Sequence, residues 1–319
     1  MTSAPWKSKR MHLPFAQSER STVGIEWELA LVDKDSGDLR QVAQTVLDAV
    51  RPEGRDAHPH IVQELLLNTV EVVSGVGRDV PDAAADLERA VEEIRAVTDP
   101  LRVELMCAGT HPFAQWSHQK VTDKARYNTL IDRTQWWGRQ MLIYGVHVHV
   151  GIEDRRKVLP ILRAMLTCFA HLQSLSASSP FWGGRDTNYA SNRALMFQQL
   201  PTAGLPFQFQ EWEELERYAS DLEHTGVIDG FDEVRWDLRP SPATAPSSRG
   251  SSTASRTSAS CVRSPRSRTA SSRGSPACST TASSSRPCRP GSCRRTSGGR
   301  PATAWTPSSS STRTATRSS

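Results

Sequence analysis

Thr22-Val-Gly-Ile-Glu-Trp-Glu-Leu-Ala-Leu-Val-Asp33 is the stretch that decides how this chain folds. Ile25, Trp27, Leu29 and Leu31 fall on one side of a two-residue period, and Glu26 and Glu28 on the other. Side chains alternate across a strand, so the period predicts a β-strand with two carboxylates projecting side by side. Adjacent acids repel unless a cation or a base lies between them. Ligation of Mg²⁺ or Mn²⁺, hard ions that take carboxylate oxygens, answers that repulsion. The plain competitor is the solvated face of an edge strand.

A second alternating stretch, Met141 to Ile152, sets Val146, Val148 and Val150 against His147 and His149. A His-x-His strand can bind Zn²⁺, but no cysteine partner and no His-Glu-x-x-His helix accompanies it, which argues against a closed zinc site. One histidine can instead ligate a divalent metal while the other meets phosphate or a carboxylate. Glu64 to Val73 is a further extended candidate, carrying Glu64, Asn68 and Glu71. Between these lie a helix over Pro81 to Val97, with Ala84, Leu87, Val91 and Ile94 at helical spacing, a short buried strand over Val103 to Ala108, and a helix over Asp123 to Arg139. A long helix is predicted from Asp154 to about Ser178, another over Glu211 to Thr225, and a strand over Val234 to Leu238. Strands mixed irregularly with helices predict an α+β fold rather than a regular doubly wound sheet.

Cationic candidates follow the long helix. Arg185, Asp186, Asn188, Asn192 and Arg193 cluster after Pro180-Phe-Trp-Gly-Gly184, and Arg235, Asp237 and Arg239 recur with period two. Arginine's planar donor fork suits phosphate or an amino-acid carboxylate, although a solvated loop has the same composition.

The formal charge of +5 misleads about partners. Residues 1–242 hold 26 Lys and Arg against 34 Asp and Glu, while residues 243–319 contribute 13 arginines and no acid. Those last 77 residues also lack Lys, Asn, Gln, His, Leu, Ile, Met, Phe and Tyr. Apart from Val262, every residue type present has C or G at the second codon position, the signature of a GC-rich gene read out of frame. One rereading of Ser297 to Pro307 yields Lys-Trp-Arg-Ala-Ala-Arg-Tyr-Gly-Leu-Asp-Ala. The tail therefore reads as frame-shifted and disordered; its competitor is a Ser/Arg-rich RNA-binding segment. Residues 1–20 carry no apolar run of signal-peptide length, and the most apolar stretch, Met165 to Trp182, is interrupted by His171, Gln173 and serines, so no membrane partner is expected. Cys107 and Cys168 are the only cysteines before the tail, which fits a reduced, cytoplasmic protein.

Five segments in this order, Gly24-Ile-Glu-Trp-Glu28, Gly109-Thr-His-Pro-Phe113, Gly145-Val-His-Val-His-Val-Gly151, Ser176-Ala-Ser-Ser-Pro-Phe-Trp182 and Asp237-Leu-Arg-Pro-Ser241, resemble the type 2 glutamate–cysteine ligase family of bacterial carboxylate–amine ligases. The resemblance implies a glutamine synthetase-like fold: a curved, largely antiparallel sheet with helices on its convex face. It also implies ATP-dependent joining of the glutamate side-chain carboxylate to cysteine, or another amine, through an acyl phosphate. It makes Glu26, Glu28, Glu71 and His147 expected ligands of Mg²⁺ or Mn²⁺, and Arg193 and Arg239 expected catalytic residues. His149, Arg185, Asn192 and Arg235 become expected contacts for substrate or ATP. Partners would be these small molecules and, by resemblance, a second subunit in a homodimer, with no nucleic acid. The division expected is an N-terminal segment 1–20, a catalytic domain 21–242 incomplete at its C-terminus, and the tail 243–319. Family members continue after Arg-Pro-Ser-Pro with a Thr-x-Glu-x-Arg-like strand. This chain departs there, so an inactive nucleotide- or glutamate-binding remnant is the alternative; a metal-dependent hydrolase using His147 and His149 is a further one.

Overall fold

The computed structural model describes residues 11–241 and, as backbone only, Thr257–Ser258. The described residues belong to one compact unit, Met1–Arg266. Its elements in order are β1 (Val23–Asp33), α1 (Ala43–Ala49), β2 (Ile61–Gln63), β3 (Thr69–Val73), α2 (Val80–Thr98), β4 (Val103–Met106), α3 (Ala125–Arg139), β5 (Val146–Val150), α4 (Arg155–Ser176), the short pair β6 (Phe181–Trp182) and β7 (Arg185–Asp186), α5 (Asn192–Phe197), α6 (Trp212–His224) and β8 (Thr257–Ser258). The expected tail, save β8, lies outside the described residues.

β1 organises the sheet. β3 runs along one edge of it, with Glu28 opposite Glu71. The other edge is shared by β5, with Glu26 opposite His147, and β4, with Leu31 opposite Leu105. Every one of these pairings is antiparallel, and β2 and β8 extend the order to β2-β3-β1-β5-β8. The α+β expectation, with an antiparallel sheet and helices against it, is borne out.

The odd positions of β1 bury themselves under α1 and α2. Leu29 and Leu31 join Val70, Val72, Ile61 and Val103 beneath Val46, Leu87, Ala90 and Ile94. α2 begins where Asp79 caps the backbone N–H of Asp82 at 2.9 Å and Pro81 sits in the first turn. Its buried stripe, Ala83, Leu87, Ala90 and Ile94, keeps the i, i+4, i+7 spacing but lies partly one residue aside of the predicted one.

A second core joins α4 to α6 through Val158, Leu159, Leu162, Trp212, Leu215 and Ala219, closed by Ile228, Phe231, Val234, Trp236 and Leu238. α4 is, by length and composition alone, long and apolar enough to cross a membrane. That is more than its interrupting polar residues led us to expect. Here it lays one stripe on α6. The N-terminal segment is anchored to the same core: the N–H of Leu13 donates to Glu216 at 3.0 Å, and the indole of Trp212 donates to the Leu13 carbonyl at 3.2 Å.

Three predicted spans differ from the observed elements. Glu64 to Val73 is not one strand, because residues 64–68 form the connection between β2 and β3. The alternating stretch from Met141 is extended, but its regular pairing is confined to β5; Ile143 meets only Thr110 in an isolated bridge. Val234 to Leu238 keeps the alternation, with Val234, Trp236 and Leu238 buried, yet forms no strand. Its backbone partners come from the loop at Thr202 and Gly204, and a loop offers no continuous ladder. α3 is also interrupted, at Gln135, whose φ of 48° is not helical.

Candidate active site

Because opposed residues of an antiparallel pair share a face, the registers of β1, β3 and β5 put Glu26, Glu28, Glu71, His147 and His149 together on the side away from α1 and α2. Glu26 lies between the two imidazoles: one carboxylate oxygen is 3.0 Å from His147 Nδ1 and the other 3.0 Å from His149 Nε2. The second approach is off the line of a hydrogen bond, and His149 is buried.

The neighbouring acid is more constrained. Glu28 accepts the N–H of Gly145 at 2.8 Å, and its own N–H donates back to the Gly145 carbonyl at 3.0 Å. Burial, reinforced by the nearby Glu64 carboxylate, pushes the Glu28 carboxyl up to about 8, against the opposing pull of Arg193 and the Gly145 N–H. Arg193 is itself buried. Its Nε donates to the Tyr144 carbonyl at 2.7 Å, and a Cβ on Gly145 would run into its guanidinium, which is why glycine is required there. Burial lowers the Arg193 pKa while Glu28 and Asp237 hold it up; burial likewise raises Asp237 to about 6. Glu28 and Asp237 thus both act electrostatically on the buried Arg193. Arg193 supplies counter-charge from within rather than a donor open to solvent.

Among the described residues, two groups of ligand atoms could hold cations. Glu26, Glu71 and His147 bring theirs within 4.8 Å of one another, as do Glu28, Glu64 and Glu71. Glu71 belongs to both. Carboxylate oxygens with one imidazole nitrogen suit Mg²⁺ or Mn²⁺, so the residues present fit the metal that the sequence implied.

The remaining expected residues are distributed unevenly. Arg235 is half-buried and senses the Glu64 carboxylate, and Arg239 is half-buried two residues further on. Asn192 is buried, with its amide engaged by the Ser179 carbonyl at 2.8 Å and Thr187 Oγ1 at 2.7 Å, bonds that shape its own loop. Arg185 is exposed on β7. Glu64 was not singled out as a site residue because it comes from a connection rather than an alternating strand. Its signal was the run Glu64-Leu-Leu-Leu-Asn68 between two β-rich stretches, where an acid has little reason to stand unless it is used.

The chain thus presents acids and histidines together on one face of an antiparallel sheet in an α+β fold. Residues 22–252 match the profile of Glutamate-cysteine ligase family 2, and the chain belongs to that family. It is 62% identical over 230 residues to a protein of Leifsonia xyli subsp. xyli provisionally named glutamate–cysteine ligase 2, covering 72% of this chain and 61% of that one. A similarly named protein of Arthrobacter sp. (strain FB24) is 61% identical over 73% of this chain and 62% of its own length, and one of Mycobacterium avium is 55% identical over 76% and 62%. The chain thus spans about three fifths of the length of the curated relatives it matches. Among solved structures, the glutamate–cysteine ligase of Francisella tularensis in complex with AMP superposes with a TM-score of 0.49 at 12% identity, over 72% of this chain and 58% of that one.

Proposed function

We propose that this chain carries the site of an ATP-dependent carboxylate–amine ligase, joining the side-chain carboxylate of L-glutamate to the amine of L-cysteine or of another amino compound. In this reading the terminal phosphoryl group of ATP moves to the glutamate carboxylate, releasing ADP. The amine then attacks the acyl phosphate, loses a proton and expels phosphate to leave a γ-glutamyl amide. The observation that carries the reading is Glu71, shared between the Glu26–His147 group and the Glu28–Glu64 group. When bound there, divalent ions would neutralise charge on a transferring phosphoryl group.

This chain's own residues divide that work. Glu26, Glu71 and His147 would hold one ion, and Glu28, Glu64 and Glu71 a second. Glu26 accepts a hydrogen bond from His147 and lies beside the His149 ring, so it can orient the first imidazole. Arg193 holds the Tyr144–Gly145 backbone in place and balances Glu28, which makes it a positioning residue. Arg235 and Arg239, both half-buried, are the proposed contacts for phosphate or the substrate carboxylate. We place the reaction in the cytoplasm, where the two cysteines before the tail would stay reduced.

The test is ADP release that requires glutamate and Mg²⁺ or Mn²⁺ together, with hydroxylamine trapping a γ-glutamyl hydroxamate in place of the amide. A second reading, an inactive nucleotide- or glutamate-binding remnant, draws on the change of composition after residue 242. Retained ATP binding with neither ADP release nor hydroxamate would select it.

A further inference from the structure

α4 turns only one side of itself to the protein. Val158, Leu159 and Leu162 seat it on the second core. Ile161, Ala164, Cys168, His171 and Leu175 stand exposed, Leu175 by 82%. Those five are spaced alternately three and four residues apart, the spacing of a seam that meets another helix. At about 100° per residue they lie on the side of α4 away from its buried stripe. No Lys, Arg, Asp or Glu occurs from Ala164 to Gly184. An exposed apolar stripe without charge marks an interaction surface rather than a solvated one. Residues 243–319 hold one Val and one Trp and no Leu, Ile, Met, Phe or Tyr, so the chain's own tail has no apolar seam to lay against it.

The stripe reads alike from both ends. Cys168 stands at its middle, Ile161 lies seven residues before it and Leu175 seven after, and the small Ala164 and the His171 ring fall between. A second copy of α4 running the other way meets that order with the same order, as a twofold axis requires. Charge selects the same direction. Lys157, paired with Glu153, continues the stripe at its N-terminal end, whereas the last turn of α4 bears no basic residue. An antiparallel copy brings that cation toward the carbonyl-rich end of its partner, where the helix dipole favours it. A parallel copy would set Lys157 against Lys157.

We propose that the outer stripe of α4 is the surface on which this protein pairs with a second copy of itself, the two α4 helices packing antiparallel about a twofold axis near Cys168. The pairing does not depend on the ligase reading.

The experiment measures the mass of the full chain in solution by light scattering across a concentration series, for the wild type, Ala164→Glu and Val76→Glu. The wild type should reach the mass of two chains and stop there. Ala164→Glu places like charges across the seam and should raise the dissociation constant by on the order of tenfold or more. Val76→Glu, which removes an exposed apolar side chain elsewhere, should change it less than twofold. A short bismaleimide should then join Cys168 to Cys168. Cleavage after Lys and Arg leaves Cys168 in the single peptide Ala164–Arg185, and that peptide linked to itself can only come from two chains. If Ala164→Glu lacks the wild-type thermal transition, Leu175→Ser decides instead, since that side chain touches little of its own fold. A single-chain mass at every concentration, a mass that rises without limit, or a pair that both seam variants leave intact would overturn the proposal. So would a wild-type pair in which the Cys168 peptide is never linked to itself. Vesicles of phosphatidylcholine and phosphatidylglycerol supply the last arm: a single-chain mass in solution with vesicle binding that Ala164→Glu abolishes would show that the stripe meets lipid, not a second copy.

Discussion

The two faces of β1 share one backbone and one period, yet they answer to opposite demands. Ile25, Trp27, Leu29 and Leu31 turn toward α1 and α2, where each added contact lowers the free energy of the fold. Glu26 and Glu28 turn the other way and meet Glu71 and His147, where crowding like charges raises it. Two residues further along, Ala30 and Val32 take the acid face back into an apolar cluster with Leu66, Leu142 and Tyr144. The costly chemistry is therefore confined to one end of a strand whose other end is held by packing on both sides. Local destabilisation can be tolerated where the surrounding structure over-determines the backbone.

The sharpest way to break this comparison is to exchange the two currencies. Glu71→Gln should lower Mn²⁺ affinity by on the order of a hundredfold or more, more than loss of an outer partner costs, because both ligand groups share that residue. Its folding stability should be unchanged or higher, since a like charge is removed. Leu31→Ala should do the reverse, costing about 2–5 kcal/mol of stability through a cavity under α2 while leaving the affinity of the folded fraction for Mn²⁺ within about twofold. Urea titrations and Mn²⁺ binding on both variants check this. If Glu71→Gln unfolds as readily as Leu31→Ala, the acid face is structural and the comparison collapses.

A smaller effect comes from Glu28. A carboxyl whose folded-state pKa is raised, here from 4.5 to about 8, binds its proton more tightly in the fold than in the unfolded chain. Its contribution to stability is present at low pH and is lost as pH climbs through that window, with a slope of up to about 1.4 kcal/mol per pH unit. Between pH 5 and pH 8 the wild type should lose stability relative to Glu28→Gln in metal-free buffer. Mg²⁺ or Mn²⁺ should flatten the difference, because the cation replaces the proton as partner of the carboxylate. A variant that tracks the wild type across this range would show that Glu28 is solvated and ionised throughout.

Much of this architecture was legible before any coordinates, for identifiable reasons. β1 and β5 were readable because a half-buried strand writes its face into every second residue, and those residues turned out to be the ones paired across the sheet. The stretch from Glu64 to Val73 was misread as one strand because Leu65, Leu66 and Leu67 look like strand core. They lie instead in the connection, where Leu66 is buried against the far end of the acid face. Val234 to Leu238 shows the opposite failure: its alternation is real and its burial follows it, but a strand also needs a partner, and no periodicity within a segment reports who that partner is.

The arginines give the comparison its finest test, and its smallest expected effect. Arg185 has the same fork as Arg235 and was an expected contact for substrate or ATP, but it stands exposed on the β6–β7 pair. An exposed side chain on a two-residue strand is free to move, and an isolated surface charge contributes little to stability or affinity. Arg185→Ala should therefore change ATP affinity less than about twofold and stability by no more than about 0.5 kcal/mol. Calorimetric titration beside Arg235→Gln checks it directly. A loss from Arg185→Ala equal to that of Arg235→Gln would mean that the β6–β7 pair reaches the bound nucleotide, so that the phosphate contacts would have to be counted from the loop after α4 as well as from residues 234–241.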